Sequence, residues 1–305
     1  MDFTLKTYIN LLQTLKSHNS TFLSFSDYIQ LNKQTPSPLR PPSPSSSEAL
    51  AKEDRPIIIL RHDVDKLPQN ALRFAQIEHD MGIKVTYYFR AVPVSWNERI
   101  IKEIHDLGHE IGYHYENLTT CNGDMNKAIE DFKYNLEKLR NLTPVSSICM
   151  HGSPRSKWDN KDLWKKYNYR DFGIIGEPYF DVDFEDMLYL TDTGRRWNGH
   201  KFSIRDKGLG IRKQELGNPY HYWRVKPKMG SLMNMTQKSM EFQSRYNFRS
   251  TNTIISAAEK GKLPDRIMMT FHPQRWTDRA IPWVKELVWQ NVKNVGKWGL
   301  IRIRQ

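Results

Sequence analysis

The chain has 305 residues, which is enough for one large α/β domain or two small ones with a full hydrophobic core. Hydrophobic residues make up 38% of the chain and aromatic residues 12%, values that are typical of a globular protein and exclude a disordered one. The formal net charge of +12 favours anionic partners, such as phosphorylated or nucleotide-linked sugars, lipid headgroups or nucleic acid.

Cysteine usage and the first residues bear on the cellular compartment. Cys121 and Cys149 are the two cysteines, and their spacing fits neither a disulfide framework nor a cysteine-based zinc site. Residues 1–20 lack the apolar core and cleavage site of a signal peptide, and no apolar run has the length of a membrane span. We therefore expect a soluble, cytoplasmic protein.

The first elements in chain order form an extension and a linker. Apolar residues recur at helical spacing over residues 3–17, and a short strand and a helical turn follow, so residues 1–34 are predicted to be an N-terminal helical extension that packs on the main domain. Residues 35–54 include TPSPLRPPSPSSS, which is typical of a loop or linker. The main domain is predicted to span residues 55–305.

The main domain alternates apolar runs of strand length with helical patterns, which is typical of a parallel sheet with crossover helices. Helices are predicted over residues 72–81, 98–107, 126–139 and 281–298. Strands are predicted in PIIIL, KVTYYF, EIGYH, VSSICM, DFGIIG, MLYLT and RIMMTF. This order predicts an α/β fold, either a barrel or a doubly wound sheet.

Polar side chains follow four of these strands. They are Asp63 and Asp65 after PIIIL, His114 after EIGY, His151 after SSICM and His272 after MMTF. Because the carboxyl ends of parallel strands face one cleft, we expect these groups to converge. Carboxylates and imidazoles together suit zinc or a similar divalent metal, with one carboxylate left over as a base and one histidine as an acid. Taken singly, each histidine is more often structural, and DVD is also compatible with a helix cap.

The motif order LRHDVD, VTYYFR, LGHEIGYH and TFHP resembles the polysaccharide deacetylase superfamily, carbohydrate esterase family four, over about residues 56–276. The resemblance implies a distorted (β/α) barrel that removes acetyl groups from N-acetylated sugars with a metal-bound water. It implies that Asp63 is the general base, that Asp65 and His114 are metal ligands, and that His272 is the general acid. His109 corresponds to a position that is usually structural.

One metal ligand of the family pattern is missing. The second motif usually has a histidine four residues after the first, and here Leu118 occupies that position. Glu116 and His151 are the two available replacements, and His151 is favoured because an imidazole preserves the ligand type. The family's third motif usually begins with an arginine that orients the base. The alternative is therefore that His151 orients Asp63 and that Glu116 or solvent fills the coordination sphere.

Arginine and tryptophan residues near the predicted rim indicate an anionic sugar. Arginine binds phosphate or carboxylate with two parallel hydrogen bonds, and an indole stacks on a sugar ring. The predicted substrate-binding residues are Arg155, Arg195, Arg196, Trp197 and Arg275. The alternative is a solvated turn with Trp197 in the core.

Residues 219–250 are basic with interleaved aromatics and are predicted to be an insertion over the site. No nucleic-acid motif accompanies them, so no nucleic-acid partner is expected.

These features predict a metal-dependent hydrolase that removes an acyl group from an amino sugar, using one divalent ion such as zinc. The substrate is expected to be a nucleotide- or lipid-linked sugar in surface polysaccharide synthesis. One alternative is a hydrolase of a non-sugar amide or a phosphoester. Another is a metal-free carbohydrate-binding pseudoenzyme, because of Leu118. The C-terminal helix is expected to pack on the body, with peripheral membrane contact as the less favoured alternative.

Overall fold

The structure is a computed structural model, and it describes residues 1–34, 55–152, 156–197 and 236–303. The predicted linker over residues 35–54 and most of the predicted insertion, residues 219–235, lie outside this part of the chain. Within the described ranges, no helix combines the length and hydrophobicity needed to cross a bilayer.

The described residues form alternating strands and helices. The strands are β1 Thr21–Leu23, β2 Ile57–Val64, β3 Thr86–Phe89, β4 Glu110–Tyr115, β5 Ile148–Met150, β6 Leu188–Thr191 and β7 Arg266–Phe271. The α-helices are α1 Leu5–Ser17, α2 Phe25–Gln34, α3 Pro68–Asp80, α4 Glu98–Asp106, α5 Asn117–Thr120, α6 Met125–Arg140, α7 Pro178–Asp181, α8 Gln237–Ser244, α9 Thr251–Glu259 and α10 Ala280–Ile303. Short 3₁₀ helices span Asn160–Lys165, Tyr169–Phe172 and Pro273–Arg275.

All strand pairs in the seven-stranded sheet are parallel, in the order β5-β4-β3-β2-β7-β6. The predicted α/β class is therefore confirmed, and the predicted distorted barrel takes the form of a curled half-barrel. Parallel pairing places the carboxyl ends of the strands at one rim.

Strand β2 lies at the centre of the sheet. Its run of apolar residues is buried from Ile58 onward, as expected for a parallel strand covered on both faces. β7 pairs with it along residues 57–62 on one edge. On the other edge, β1 pairs with residues 57–59 and β3 with residues 61–64. The N-terminal extension thus adds a strand to the main sheet.

The loop after β2 turns sharply into α3. Leu67 has a φ of 54°, in the left-handed region, and Pro68 occupies the first turn of the helix, where its missing N–H has no cost. β2 ends at Val64, between Asp63 and Asp65, and the turn that follows keeps both carboxylates at the rim.

The prediction of a strand in DFGIIG, residues 171–176, is wrong. Its first residues belong to the 3₁₀ helix Tyr169–Phe172, which ends at Gly173 with a φ of 71°. Pairing in this stretch is a single bridge between Ser147 and Gly176. A left-handed glycine interrupts the extended backbone that an apolar run otherwise favours. The other predicted strands and the predicted helices are present, with ends that differ by a few residues.

Candidate active site

Alternation along β2 separates two sets of polar side chains. Arg61 and Asp63 are two residues apart and so share one face of the sheet, while His62 points to the other face. On that opposite face, Nε2 of His62 lies 2.6 Å from Oε1 of Glu78, inside the protein. Arg61 and Asp63 therefore lie on the face of the sheet that carries the site, and His62 is a core residue on the other face.

Arg61 holds the carboxylate of Asp63 with two hydrogen bonds. Nε donates to Oδ1 at 3.2 Å and Nη2 donates to Oδ2 at 2.9 Å, with both side chains almost fully buried. Burial alone would raise the pKa of Asp63, but the Arg61 guanidinium and the imidazoles of His114 and His272 lower the pKa below its usual value. Asp63 is thus a fixed, ionised proton acceptor.

Asp65, His114 and His151 form a cluster of three metal-ligand side chains. Nε2 of His114 lies 3.7 Å from Oδ1 of Asp65, and Nδ1 of His151 lies 3.3 Å from the same oxygen. The two imidazoles are 3.3 Å apart between Nε2 of His114 and Nδ1 of His151. One ligand atom from each residue lies within 4.8 Å of the others.

The hydrogen bonding of this cluster fits a divalent cation. Nδ1 of His114 donates to the carbonyl of Cys149 at 2.9 Å, which leaves Nε2 with its lone pair towards the cluster. Burial lowers the pKa of His114 to about 4, so the ring is neutral at pH 7. Oδ1 of Asp65 is buried without a geometrically good hydrogen bond among the described residues. Two imidazoles and a carboxylate are a donor set that zinc prefers.

His151 is positioned by the backbone around it. Its N–H donates to the carbonyl of Tyr115 at 2.9 Å, and the side-chain amide of Asn160 donates to its carbonyl at 2.9 Å. Pairing of β4 with β5 places His114 opposite Cys149, two residues before His151. Neighbouring strands thus explain why these two histidines meet.

His272 is held by Asp192 on the opposite side of the rim. Nδ1 of His272 donates to Oδ1 of Asp192 at 2.5 Å, and its backbone N–H donates to Oδ2 at 2.9 Å. Nε2 of His272 points towards the cluster and lies 3.9 Å from Oδ2 of Asp65. The carboxylate accepts only, so it fixes the proton of the neutral ring on Nδ1.

Asp192 is a residue that the sequence analysis missed. It is fully buried, and it also accepts hydrogen bonds from the indole N–H of Trp276 at 2.7 Å and from the guanidinium of Arg275 at 3.0 Å. The signal was available, because Asp192 directly follows the strand in MLYLT, at the same rim as the other polar residues.

Arg61 is the second missed residue, and it fills the role of orienting Asp63. The hypothesis that His151 orients Asp63 is wrong, because the side-chain contacts of His151 go to Asp65, His114 and Glu116. The signal for Arg61 was its position two residues before Asp63 on one strand, which places the two side chains on one face.

Glu116, the alternative metal ligand, is already paired. Arg90 donates to both of its oxygens at 2.9 Å, and Nη1 of Arg90 also donates to the carbonyl of Asp65 at 3.2 Å. Leu118, at the position of the usual histidine ligand, lies in α5 and is 2% exposed. Of the two proposed replacements for the missing ligand, His151 is therefore the one that converges with Asp65 and His114. A second group of ligand-type side chains, Asp63, His114 and Cys149, shares His114 with this cluster.

The predicted substrate-binding residues do not form one group at the rim. Trp197 is 2% exposed, packs against Phe271 in an aromatic cluster, and donates its indole N–H to Thr251. Arg195 is buried over the ring of Trp283 and donates to that residue's carbonyl. Both side chains pack inside the protein. For Trp197 this is the alternative given in the sequence analysis, in which the indole lies in the core.

The remaining predicted substrate residues differ in their surroundings. Arg275 donates a hydrogen bond to Asp192, the carboxylate that holds His272, and Arg196 is exposed. Arg155 lies outside the described residues.

Comparisons with known proteins concern the fold. No protein-family model matches the sequence, and a search of curated proteins gives no match. Among solved structures, the chain is similar to a wild-type CE4 family pseudoenzyme from Bacillus anthracis, with 14% identity and a TM-score of 0.37 over 79% of this chain and 60% of that chain.

Two mutants of that pseudoenzyme are also similar. The mutant with restored enzymatic activity has 14% identity and a TM-score of 0.36, over 79% of this chain and 62% of that one. The other has 15% identity and a TM-score of 0.36, over 84% of this chain and 71% of that one. The chain thus spans less than two thirds of the length of the first two structures.

Proposed function

We propose that this protein is a metal-dependent hydrolase that removes an acyl group from the nitrogen of an amino sugar. The observation that carries the proposal is the cluster of Asp65, His114 and His151 beside an ionised Asp63 that Arg61 holds in place. Three potential ligands next to a separate base are what metal-assisted amide hydrolysis requires.

Asp65, His114 and His151 would hold the metal ion. A divalent ion bound there would supply a Lewis acid that polarises the amide carbonyl and lowers the pKa of water. The hydrogen bond from Nδ1 of His114 to the carbonyl of Cys149 fixes that ring so that Nε2 faces Asp65 and His151. His151 replaces the ligand that Leu118 cannot provide.

Asp63 accepts the proton of the attacking water. Its Oδ2 lies 3.8 Å from Nε2 of His114, so the base lies beside the ligand cluster. The two hydrogen bonds from Arg61 keep the carboxylate ionised and prevent it from turning away. A base that is already oriented loses little entropy in the proton transfer.

His272 donates a proton to the leaving amine from Nε2. The ring must be an imidazolium to do so, and Asp192 stabilises that charge through Nδ1, the atom on the far side of the ring from the substrate. Asp192 is therefore a positioning residue and His272 is the proton donor.

A nucleotide- or lipid-linked sugar as substrate is supported by the net charge of +12.

The test is acetate release from a panel of N-acetylated sugars, free and phosphate-linked, with zinc or cobalt supplied. Asp63→Asn and His272→Ala are expected to lower kcat/KM by about 10²-fold to 10⁴-fold, the usual contribution of a general base or acid. Asp106→Asn is the control, because Asp106 is exposed and lies on α4, a helix that carries none of the site residues. Equal activity in all variants would contradict the proposal.

A metal-free carbohydrate-binding protein is the second candidate, and the buried Leu118 at the usual ligand position favours it. This candidate predicts sugar binding without acetate release at any metal concentration, and unchanged sugar affinity in Asp63→Asn. Calorimetric titration of the same sugars into wild type and Asp63→Asn separates the two functions.

A further inference from the structure

A groove of about 540 Å³ opens between α3 and α10, beside the candidate active site. Arg73 of α3 lines one wall, and Lys285 and Trp289 of α10 line the other. Gln274 and Arg279, from the segment that joins β7 to α10, also line the groove. None of these residues was needed for the proposed hydrolysis.

Gln274 connects the groove with the metal-ligand cluster. Its Nε2 donates to Oδ2 of Asp65 at 3.0 Å, which fixes the orientation of the amide because a carboxylate requires a donor. The side chain is 7% exposed, and its Oε1 is buried without a hydrogen-bond partner in the described part of the protein. An unpaired buried acceptor is costly, so Oε1 is poised to accept from a ligand hydroxyl or amide N–H.

The groove carries an excess of positive charge. The side chains of Arg73, Arg279 and Lys285 form no ion pair within the described ranges, and all three residues are exposed. The carboxylate in the groove, Glu286, is already engaged: Nζ of Lys66 lies 3.8 Å from Oε2, and the amide of Gln290 donates to Oε1 at 2.6 Å. Three cations without ion-pair partners, beside a carboxylate that is already paired with Lys66, favour an anionic ligand.

Helical spacing places these groups on facing walls. On α10, Lys285 and Trp289 are four residues apart and so lie on one side of the helix. Trp289 is 52% exposed, which leaves an aromatic surface at the groove for a sugar ring or a base. Guanidinium groups match phosphate oxygens better than other side chains do.

We infer that this groove binds the phosphate of a phosphate-linked amino sugar, with Arg73, Arg279 and Lys285 on the phosphate and Oε1 of Gln274 accepting from the sugar. The inference rests on the proposed function, because it places the sugar's acyl group near Asp65. It assigns the anionic end of the substrate to α3 and α10, away from the buried Arg195 and Trp197.

The test is calorimetric titration of the full chain with three probes: N-acetylglucosamine, N-acetylglucosamine 1-phosphate and UDP-N-acetylglucosamine. The first probe carries no phosphate, the second a monoester and the third a diphosphate diester, so the series also distinguishes the phosphate source. The variants are Arg73→Gln, Arg279→Gln and Lys285→Gln, with Arg249→Gln and Lys102→Gln as matched controls on exposed residues that do not line the groove.

We expect at least one phosphorylated probe to bind more tightly than the neutral sugar at low salt. Each groove variant is expected to weaken that binding about threefold to tenfold, with less effect at high salt, while the controls leave it unchanged. Gln274→Leu is expected to weaken all three probes, because it removes the acceptor for the sugar.

Equal affinity for the phosphorylated probe in wild type and groove variants would overturn the inference, and so would tighter binding of the neutral sugar or no binding of any probe. Acetate release from neutral sugars, unaffected by the groove variants, would overturn the inference and leave the proposed function standing. Groove-dependent binding without acetate release would support the inference and contradict the hydrolase.

Discussion

The pairing of Arg61 with Asp63 is the strongest constraint at the scale of single residues. Both side chains are almost fully buried, and two hydrogen bonds join them. Removing one partner of such a pair leaves an uncompensated buried charge. We expect Arg61→Gln to lower the free energy of unfolding by about 3–5 kcal/mol, measured by urea denaturation.

A second substitution tests the cause of that loss. In Arg61→Gln/Asp63→Asn the buried carboxylate is gone, so part of the stability should return. Arg99→Gln is the control, because its partner Glu103 lies on an exposed helix face and such pairs contribute about 0.5 kcal/mol or less. A double variant no more stable than Arg61→Gln would contradict a charge-based explanation.

The sequence predicted the residues at the rim but not the contacts that hold them. Strand-end positions identified Asp63, Asp65, His114, His151 and His272, because a parallel sheet brings strand ends together whatever the details of packing. Arg61 and Asp192 also stand at strand positions that the sequence shows, but their roles depend on which side chains the fold places beside them. Trp197 was expected at a binding surface, yet the surrounding aromatic rings bury it; composition does not show on which side of a turn an indole lies.

At the scale of elements, a buried carboxylate fastens the N-terminal helix to the sheet. Glu78 of α3 is fully buried and accepts hydrogen bonds from the hydroxyls of Tyr8 in α1 and Tyr87 in β3. Burial would raise the pKa of Glu78, but the imidazole of His62 and the hydrogen bonds keep it below its usual value. Residues 1–34 are therefore part of the folded core through α1, as well as through β1.

Tyr8→Phe tests this attachment. The substitution keeps the ring packed against Phe74 and removes one donor to the buried carboxylate, so we expect a loss of about 1.5–3 kcal/mol in the free energy of unfolding. Tyr134→Phe is the matched control, since Tyr134 is 69% exposed on α6 and should lose almost nothing. Equal, small losses in both variants, measured by urea denaturation, would show that α1 is held by apolar packing alone.

Strands and helices were predicted correctly where an apolar pattern extends over many residues. The prediction failed where the backbone conformation of one residue, Gly173, ends the pattern. The buried strands β2, β4 and β7 were evident from their apolar runs, and α6 from apolar residues three and four apart. DFGIIG has the composition of a strand, but Gly173 turns the chain. Register and strand order were beyond the sequence, because they depend on contacts between distant segments.

At the scale of the whole molecule, sheet order explains the composition of the site. Because β4 neighbours β5, His114 meets His151; because β2 neighbours β7, Asp65 meets Gln274 and His272. The curl of the sheet brings these two pairs together across β3. Residues far apart in sequence thus supply one ligand cluster, one base and one acid at a single rim.

The central claim is that His151 replaces the missing ligand and completes a metal site with Asp65 and His114. The most direct measurement is the metal content of purified protein, after incubation with zinc and dialysis, by elemental analysis. The variants are His114→Ala, His151→Ala and Glu116→Gln, with His105→Ala on α4 as the control.

We predict about one zinc per chain in wild type, Glu116→Gln and His105→Ala, and a strong loss in His114→Ala and His151→Ala, because each removes one of three protein ligands. A wild-type protein that retains no zinc, or a His151→Ala variant that retains all of it while Glu116→Gln loses it, would contradict the claim.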